Sequence, residues 1–350
     1  MAEHNSLDEL RAYHFSRKKR SAAIIAITAA ALFATFTATL MVGNYTIPWN
    51  EVFAVLFGGG SPADRQIVMD IRLPRLLCCC LVGAALSLSG LAMQSLFKNP
   101  MASPSILGIS SGAAFGASLA ISFGAGAAVM GTYSVPFMAF AFCFVTMGIV
   151  YLIARTKYGV ATVTLLLAGV AVGAFFNGLV SLMQYIADED TLAAIVYWTM
   201  GSFNKCVWDS FYLAAVPILL GIAVILFRSR ELNLISAGEE QAANMGVNVK
   251  RTRILIILGT SLCVGGSVAI SGTIGFVGLI VPHIFRMLVG PSHKLLIPLC
   301  VFGGAAFMMG IDTISKAAFS VSVPVGILTS LLGAPFFVYV MKTKKKEMWE

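Results

Sequence analysis

Residues 228–253 read RSRELNLISAGEEQAANMGVNVKRTR and form the longest hydrophilic interval between the apolar segments of this chain. Both ends are basic, and the middle predicts a short helix over 237–245. Glu239 and Glu240 would lie in its first turn, where the positive end of the helix dipole favours carboxylates. Gly246 would follow the helix as the residue that adopts the left-handed conformation. Such a short capped helix between two membrane spans is expected to contact a soluble partner.

The composition predicts a membrane protein. The chain has 350 residues, of which 58% are hydrophobic and 11% charged, with a mean hydropathy of +0.87. Because a soluble domain has about a quarter of its residues charged, we expect a polytopic, all-α integral membrane protein. The apolar run 21–43 is too long for the core of a signal peptide and is interpreted as a retained first span. The seven cysteines lie mostly inside apolar runs, which favours small buried hydrophobes over disulfides or a metal site.

Ten spans of about 20 residues fit the hydropathy pattern. We predict them at 21–43, 74–97, 104–123, 134–154, 160–183, 209–227, 254–270, 275–289, 295–315 and 325–341. The expected organisation is a basic amino-terminal segment over 1–20, one ten-span domain over 21–342, and a tail over 343–350.

The basic residues indicate the orientation of these spans. With the amino terminus inside, 19 of the 24 lysines and arginines fall on the inner side, whereas the acidic residues divide evenly between the two sides. Lysine and arginine determine orientation, so both termini and residues 228–253 are expected in the cytoplasm of a plasma or inner membrane. The net charge of +8 is then an orientation signal and an attraction to anionic membrane lipid. It does not indicate nucleic-acid binding.

The sequence contains no source of energy of its own. It has no G-x-x-x-x-G-K-[ST] motif for binding ATP. The spans hold very few ionisable groups, although carriers driven by protons or sodium ions usually need them inside the membrane. If the chain performs work in the membrane, it must take its energy from a partner, and residues 228–253 are the expected place of contact.

Charged residues near the outer ends of spans two and nine allow two interpretations. Arg72 and Arg75 precede span two in the sequence RLPR, and Asp312 and Lys316 lie four apart near the end of span nine. They could anchor lipid headgroups and form an ion pair within one helix. They could equally form a cationic ring that docks an acidic external protein.

Small residues recur at the spacing of helix contacts in spans three and five, where they let helix backbones approach closely in lipid. These residues are Gly108, Gly112, Gly116, Gly169 and Gly173.

His283 follows Pro282 in an apolar helix. Packing of its side chain is therefore favoured over ligation of a metal.

Several blocks, in order along the chain, resemble the permeases of ABC importers for iron–siderophores, haem and vitamin B12 (FecCD-type, type II importers). The blocks are RLPR at 72–75, LVGAA at 81–85, Gly90, Gln94, Asn99-Pro100, PSILGISSG at 104–112, LLLAG at 165–169, GTIGFVGLIVPHIFR at 272–286, GID at 310–312, VPVGILT at 323–329 and GAPFF at 333–337. The resemblance covers about residues 70–342, and it specifies the family but not the cargo.

The resemblance implies a vitamin B12-importer-like fold of ten spans that works as a homodimer. Its expected partners are a cytoplasmic ATPase dimer and an external substrate-binding protein. ATP and magnesium would bind to the ATPase, and no cofactor and no catalytic activity are expected of this chain. The segment 234–246 matches the coupling region of the family, with Gly238, Glu239, Ala242 and Gly246 at its recognisable positions.

The resemblance also implies roles for residues elsewhere in the chain. Docking of the binding protein is expected at Arg72, Arg75 and Lys316, the last of which stands where some relatives have an arginine. A cytoplasmic gate is expected at Asn99, Met101, Ala161, Thr162 and Val163. Span five is expected to line the pathway through Asn177, Ser181 and Gln184.

We therefore expect the membrane subunit of an ATP-driven importer, with a ferric siderophore as the first cargo hypothesis and haem or cobalamin as the alternatives. A secondary carrier that works alone is the rival from another class. It predicts transport without an ATPase and no effect of changes at Glu239 or Gly246. A membrane scaffold without transport is the third hypothesis, and it predicts that charge reversal at Arg72 and Arg75 changes only expression.

Overall fold

The computed structural model describes residues 2–43, 45–156, 159–160, 162–318 and 322–348. Its helices are α1 Ala2–Met41, α2 Trp49–Leu56, α3 Pro62–Arg65, α4 Leu73–Leu96, α5 Ile109–Phe123, α6 Ala127–Met130, α7 Ser134–Ala154, α8 Thr162–Ile186, α9 Glu189–Thr199, α10 Trp208–Phe227, α11 Ser229–Ala237, α12 Glu239–Asn244, α13 Val249–Ser271, α14 Val277–Val289, α15 His293–Ala317 and α16 Val325–Met348. A π-helical turn over Gln66–Arg72 leads into α4, and 3₁₀ turns cover Pro104–Leu107 and Gly131–Tyr133.

The helical content confirms the predicted fold class. Each of the ten predicted spans corresponds to one apolar helix: α1, α4, α5, α7, α8, α10, α13, α14, α15 and α16. Among the described residues, seven helical segments are long and apolar enough to cross a membrane by length and composition, whereas α5, α14 and the apolar part of α16 are shorter. The chain is thus a multi-pass membrane protein. Two strands of two residues each, β1 Arg155–Thr156 and β2 Gly159–Val160, pair antiparallel before α8 and were not predicted.

Two predicted boundaries fall inside helices. Helix α1 continues across residue 20, so that the basic amino-terminal segment and the first span share one helix. Helix α16 continues in the same way across residue 342.

Helix α4 lies at the centre of the bundle. Almost every residue from Val82 to Leu96 is buried, and the helix packs against α10, α13, α14 and α15. Its sequence is rich in Gly, Ala, Ser and Cys, which leaves little side chain between the backbones. At Gly83 and Gly304 the backbones of α4 and α15 touch, because a Cβ on either glycine would overlap the carbonyl oxygen of the other. Small residues of this kind drive helix association in lipid.

The glycine spacing of spans three and five also predicted helix contacts. Gly108 lies against Gly169 and Gly173 of α8, while Gly112 and Gly116 of α5 lie against α7. Gly108 lies between the 3₁₀ turn and α5, outside both, and adopts the left-handed conformation with a φ of 72°. The contacts are confirmed, but the three glycines do not form one continuous helical stripe.

The first prediction concerns the contact between α4 and α15. We expect Gly304→Ala to destabilise the protein by about 1–3 kcal/mol, because the added methyl group has to push two packed backbones apart. Gly310→Ala is the matched control on the same helix, since a Cβ there meets nothing within 4 Å. Thermal unfolding of the two detergent-solubilised variants measures the difference. Equal midpoints would contradict the role assigned to this contact.

Candidate functional site

The segment 228–253 folds as two helices, whereas one was predicted. Helix α11 ends at Ala237, Gly238 forms an extended connection with φ 163° and ψ 136°, and α12 begins at Glu239. The predicted helix over 237–245 was therefore too long at its start. Helix α11 was missed although its pattern is amphipathic: Leu232 and Ile235 are buried on one face, and polar residues cover the other.

The end of α12 has the geometry that the sequence predicted. Gly246 adopts a φ of +83°, its N–H donates to the Ala243 carbonyl at 2.9 Å, and the Val247 N–H donates to the Ala242 carbonyl at 3.0 Å. These two bonds form a Schellman motif, in which glycine is preferred because a Cβ is strained at positive φ.

The four predicted coupling positions shape and attach α12. Ala242 is fully buried, and the Glu239 carboxylate accepts a hydrogen bond from the largely buried Arg253 at 2.6 Å, which fixes α12 to the start of α13. Met245 directly follows α12, and its side chain is 67% exposed. It was not among the predicted coupling residues. An apolar residue beside the terminal glycine of a short polar helix was the available signal.

Helix α11 is joined to the centre of the bundle by three polar side chains. Asn233 Oδ1 accepts the backbone N–H of His293 at 3.0 Å and lies 2.6 Å from ring atom Nδ1. The other ring nitrogen, Nε2, lies 2.6 Å from Ser95 Oγ near the end of α4. Because Oδ1 is an acceptor, Nδ1 must carry a proton. This chain of contacts links α11 to α4 and α15, and the sequence analysis did not predict it.

Helices α4 and α15 are also joined at their other end. Arg75 NH2 lies 2.6 Å from one oxygen of Asp312, and Lys316 Nζ lies 2.6 Å from the second oxygen. Asp312 is fully buried, whereas the Arg75 and Lys316 side chains are 13% and 12% exposed. Arg75 additionally donates to Asn204 Oδ1 at 2.7 Å. The ion pair between Asp312 and Lys316 within α15 belonged to one of the two predicted interpretations. The ion pair between Arg75 and Asp312 was not predicted.

Arg72 is not an exposed residue as the docking prediction requires. Its side chain is buried and donates to the carbonyl oxygens of Leu40 at 2.5 Å, Met41 at 3.0 Å and Tyr45. The guanidinium satisfies carbonyls at and beyond the end of α1, where no further helical turn does so. Arg72 therefore ties α1 to the start of α4 within the single chain, and its docking role stays a prediction. The exposed basic residues at this end are Arg65 and Lys205.

An acidic loop follows α8. Asp188 caps α9, because its carboxylate accepts the Thr191 N–H at 3.0 Å. Hydrogen bonds from Thr191 lower the pKa of the Asp188 carboxyl below its usual value, since they stabilise the charged form. The side chain stays fully ionised at neutral pH.

The predicted gate residues lie in two turns. Asn99 Oδ1 accepts the Met101 N–H at 2.9 Å and so fixes the turn after α4. Thr162 and Val163 begin α8, and Val163 is 68% exposed. Ala161 lies outside the described residues. Their gating role stays a prediction.

The predicted pathway residues share one side of α8. Asn177 and Ser181 are exposed, and Gln184 is partly buried. The neighbouring face of the helix carries buried residues such as Gly169, Gly173 and Phe176. This arrangement leaves a polar strip on α8 uncovered within the single chain.

A cavity of about 550 Å³ lies between the 3₁₀ turn before α5, α5 itself, the end of α9, the loop after α13 and α16. Five hydroxyl side chains line it: Ser105, Ser110, Thr199, Thr273 and Ser330. Its walls carry no charged side chain among the residues that the structure describes. The sequence analysis did not predict this cavity, since its residues come from separate segments of the chain.

Comparisons with known proteins agree with this architecture. A model of the FecCD transport family matches residues 31–343. The molybdate import system permease protein of Haemophilus influenzae is 38% identical over 326 residues, covering 91% of this chain and 95% of the relative. The cobalamin import system permease protein of Halobacterium salinarum is 39% identical over 303 residues, covering 85% and 80%. A solved inward-facing structure of a metal-chelate type ABC transporter is similar with a TM-score of 0.82 and 37% identity, covering 91% and 99%.

The second prediction concerns the buried carboxylate. We expect Asp312→Asn to lower the free energy of unfolding by about 3 kcal/mol or more, because it leaves Arg75 and Lys316 without a counter-ion. Glu231→Gln is the control: it removes the partner of Arg228 in a more exposed pair and should cost less than about 1 kcal/mol. Chemical or thermal unfolding in detergent compares the two. An equally small loss of stability in both variants would contradict this prediction. It would show that Arg75 and Lys316 can lack a counter-ion at little cost in free energy.

Proposed function

The chain belongs to the FecCD transport family and is an ABC-importer permease, and from this premise we propose that it moves an iron–siderophore, haem or cobalamin into the cytoplasm. The observation that carries the proposal is the family match over 31–343. It includes α4, α5, α7, α8, α10, α13, α14 and α15 in full, parts of α1 and α16, and the segment 228–253. The rival hypothesis of a secondary carrier working alone does not fit membership of this family.

Membership of the family does not by itself select one cargo. Relatives with 38% and 39% identity are named for molybdate and for cobalamin, so that overall similarity does not select a cargo. The cavity lined by hydroxyl groups offers polar contacts without a fixed charge. Weak contacts of this kind suit a pathway in which an external binding protein supplies the selectivity. We propose a ferric siderophore first, with haem and cobalamin as alternatives.

The orientation follows from the distribution of basic residues. An excess of lysine and arginine at the end that carries α11 and α12 supports a cytoplasmic location for this end and for both termini. The cytoplasmic ATPase dimer, with its ATP and magnesium, would then bind at α12. The binding protein would dock at the opposite end, where Arg75, Lys316, Arg65 and Lys205 supply positive charge.

We place the second copy of the permease against the uncovered strip of α8. Asn177 and Ser181 lie on this strip, and both are exposed in the single chain. A homodimer would bring two such strips together around a shared pathway. The polar side chains of these membrane helices would then face the pathway and not the lipid.

Movement of α12 is expected to reach the pathway through the contacts already described. Glu239 transmits a displacement to α13 through Arg253, and Asn233 transmits it to α15 and α4 through His293 and Ser95. ATP binding on the partner would shift the equilibrium between two arrangements of these helices, and hydrolysis would restore the first.

The third prediction tests the contact with the ATPase. We expect Met245→Glu to weaken association with the cognate ATPase by about ten-fold, since an exposed apolar side chain at the centre of an interface contributes strongly. Val129→Glu is the control, because this valine is 76% exposed but lies on α6, away from α12. Co-purification of the complex, with ATP turnover stimulated by the binding protein, measures the effect.

Two outcomes would refute this proposal. Transport that continues when no ATPase is bound would refute the importer mechanism. Equal association of wild type and Met245→Glu would remove α12 as the site of contact, while leaving the family assignment intact.

The fourth prediction tests the cavity. We expect Ser330→Phe to reduce cargo uptake by about ten-fold or more in reconstituted vesicles, because the ring would occupy space lined by Thr199 and Thr273. Leu332→Phe changes an exposed position two residues further along α16 and should leave uptake unchanged. Assembly with the ATPase should be normal in both. Full uptake by Ser330→Phe would exclude the cavity from the pathway.

A further inference from the structure

A second cavity, of about 360 Å³, lies where α4 ends and where α14 and α15 meet. Seven polar or charged side chains line it: Gln94, Ser95, Lys98, Ser236, His283, Arg286 and His293. Its lining contains no carboxylate within the part of the chain that the structure describes. The cavity adjoins Ser236 of α11, which places it at the end of the bundle that carries α12. Positive charge without an acidic partner is typical of a site for an anion.

Arg286 forms no ion pair with any residue in the described part of the chain. Its Nε atom is buried and has no hydrogen-bond partner, and none of the ion pairs among the described residues includes its guanidinium. An uncompensated charge of this kind is costly to bury. A bound anion would supply both the missing charge and the missing acceptor.

Lys98 stands at the mouth of the cavity in an unusual backbone conformation. It ends α4 with a φ of +49°, and the N–H groups of Lys98 and Asn99 donate to the carbonyls of Ser95 and Gln94 at 3.3 and 3.1 Å. Glycine is the ordinary residue at this position of a Schellman motif. A lysine there costs conformational energy, yet it places an exposed ammonium group beside the cavity.

Gln94 offers an acceptor on the inner wall. Its Nε2 faces the carbonyl oxygens of Gly278 and Leu279, each at 3.4 Å, which sets the direction of the amide. The Oε1 atom is buried and receives no hydrogen bond. The other titratable groups of the wall are engaged: His293 contacts Asn233 and Ser95, and the ring of His283 packs edge-on against Phe336. The site thus combines cations with one free acceptor, which suits a phosphate that also carries a hydroxyl group.

An apolar surface lies beside this cavity. Ile284, Met287 and Leu288 share one side of α14 and are 38%, 69% and 43% exposed. Met287 also belongs to the cavity lining. An inorganic phosphate would make no use of this surface, whereas the acyl chains of a lipid would cover it.

We propose that the cavity binds the headgroup of an anionic phospholipid, with its phosphate between Lys98 and Arg286 and a headgroup hydroxyl on Gln94. The acyl chains would lie along the exposed side of α14. Basic pockets between helices at the cytoplasmic surface bind anionic headgroups in this way. The lipid would fill the space next to Ser95 and His293, where α11 is attached to α4 and α15. The inference concerns binding to this chain alone and stands or falls separately from the transport proposal.

Native mass spectrometry of the detergent-solubilised full chain tests this site. Dioctanoyl phosphatidylglycerol, dioctanoyl phosphatidylcholine and inorganic phosphate are titrated separately. We expect retention of phosphatidylglycerol by the wild type and about five-fold weaker binding to Arg286→Gln and to Lys98→Gln. Lys294→Gln, which removes an exposed charge outside the cavity, should bind like the wild type. Lys98 lies on an exposed turn, so that its variant keeps the test valid if Arg286→Gln does not fold.

Four results would overturn the proposal. The first is phosphatidylcholine binding as tightly as phosphatidylglycerol, and the second is equal phosphatidylglycerol binding by all variants. The third is inorganic phosphate binding as tightly as the lipid, which would make the cavity an oxyanion site. The fourth is loss of the lipid when the ATPase is added, which would assign the cavity to an acidic group of that partner.

Discussion

The contact between α4 and α15 is the constraint on which the rest of the bundle depends. At Gly83 and Gly304 the two backbones touch, with no room for a side chain between them. Lipid provides no hydrophobic force that pushes two apolar helices together, so close packing and polar contacts must hold the pair. Arg75 and Asp312 join the helices at one end, and Ser95 and His293 join them at the other. The two helices are therefore in contact at three positions along their length.

This fixed pair explains how two distant surfaces can act together. The end near Asn233 holds α11 and, through it, the short helix that we assign to the ATPase contact. The opposite end holds the charged group around Asp312, where the binding protein is proposed to dock. A packed core cannot deform continuously, since its interior is as dense as a crystal. A displacement of α12 is therefore expected to shift whole helices as rigid bodies. Local deformation of the packed core would not absorb it.

The features that the sequence predicted are those with a local cause. A span follows from the hydropathy of about 20 consecutive residues, and Gly246 follows from the demand for positive φ at one helix end. The contacts of Asn233, His293 and Ser95 have no such local pattern, because they join residues 60 and 198 positions apart. The contacts of Arg72 have no local pattern either: an arginine at the mouth of a span can point outward or satisfy backbone carbonyls, and its sequence context is the same in both cases.

The residues that determine the shape of α12 differ from the residue that is exposed beside it. Gly238, Glu239, Ala242 and Gly246 determine the shape and attachment of α12, while Met245 presents the exposed side chain. If α12 contacts the ATPase as we propose, a change at Met245 would alter that contact without disturbing the bundle. The same division would apply to cargo if the hydroxyl-lined cavity belongs to the pathway, because its described walls carry no charged side chain that the fold needs. Such a division would let cargo change while the bundle is kept, and relatives that are 38% and 39% identical to this chain are named for molybdate and for cobalamin.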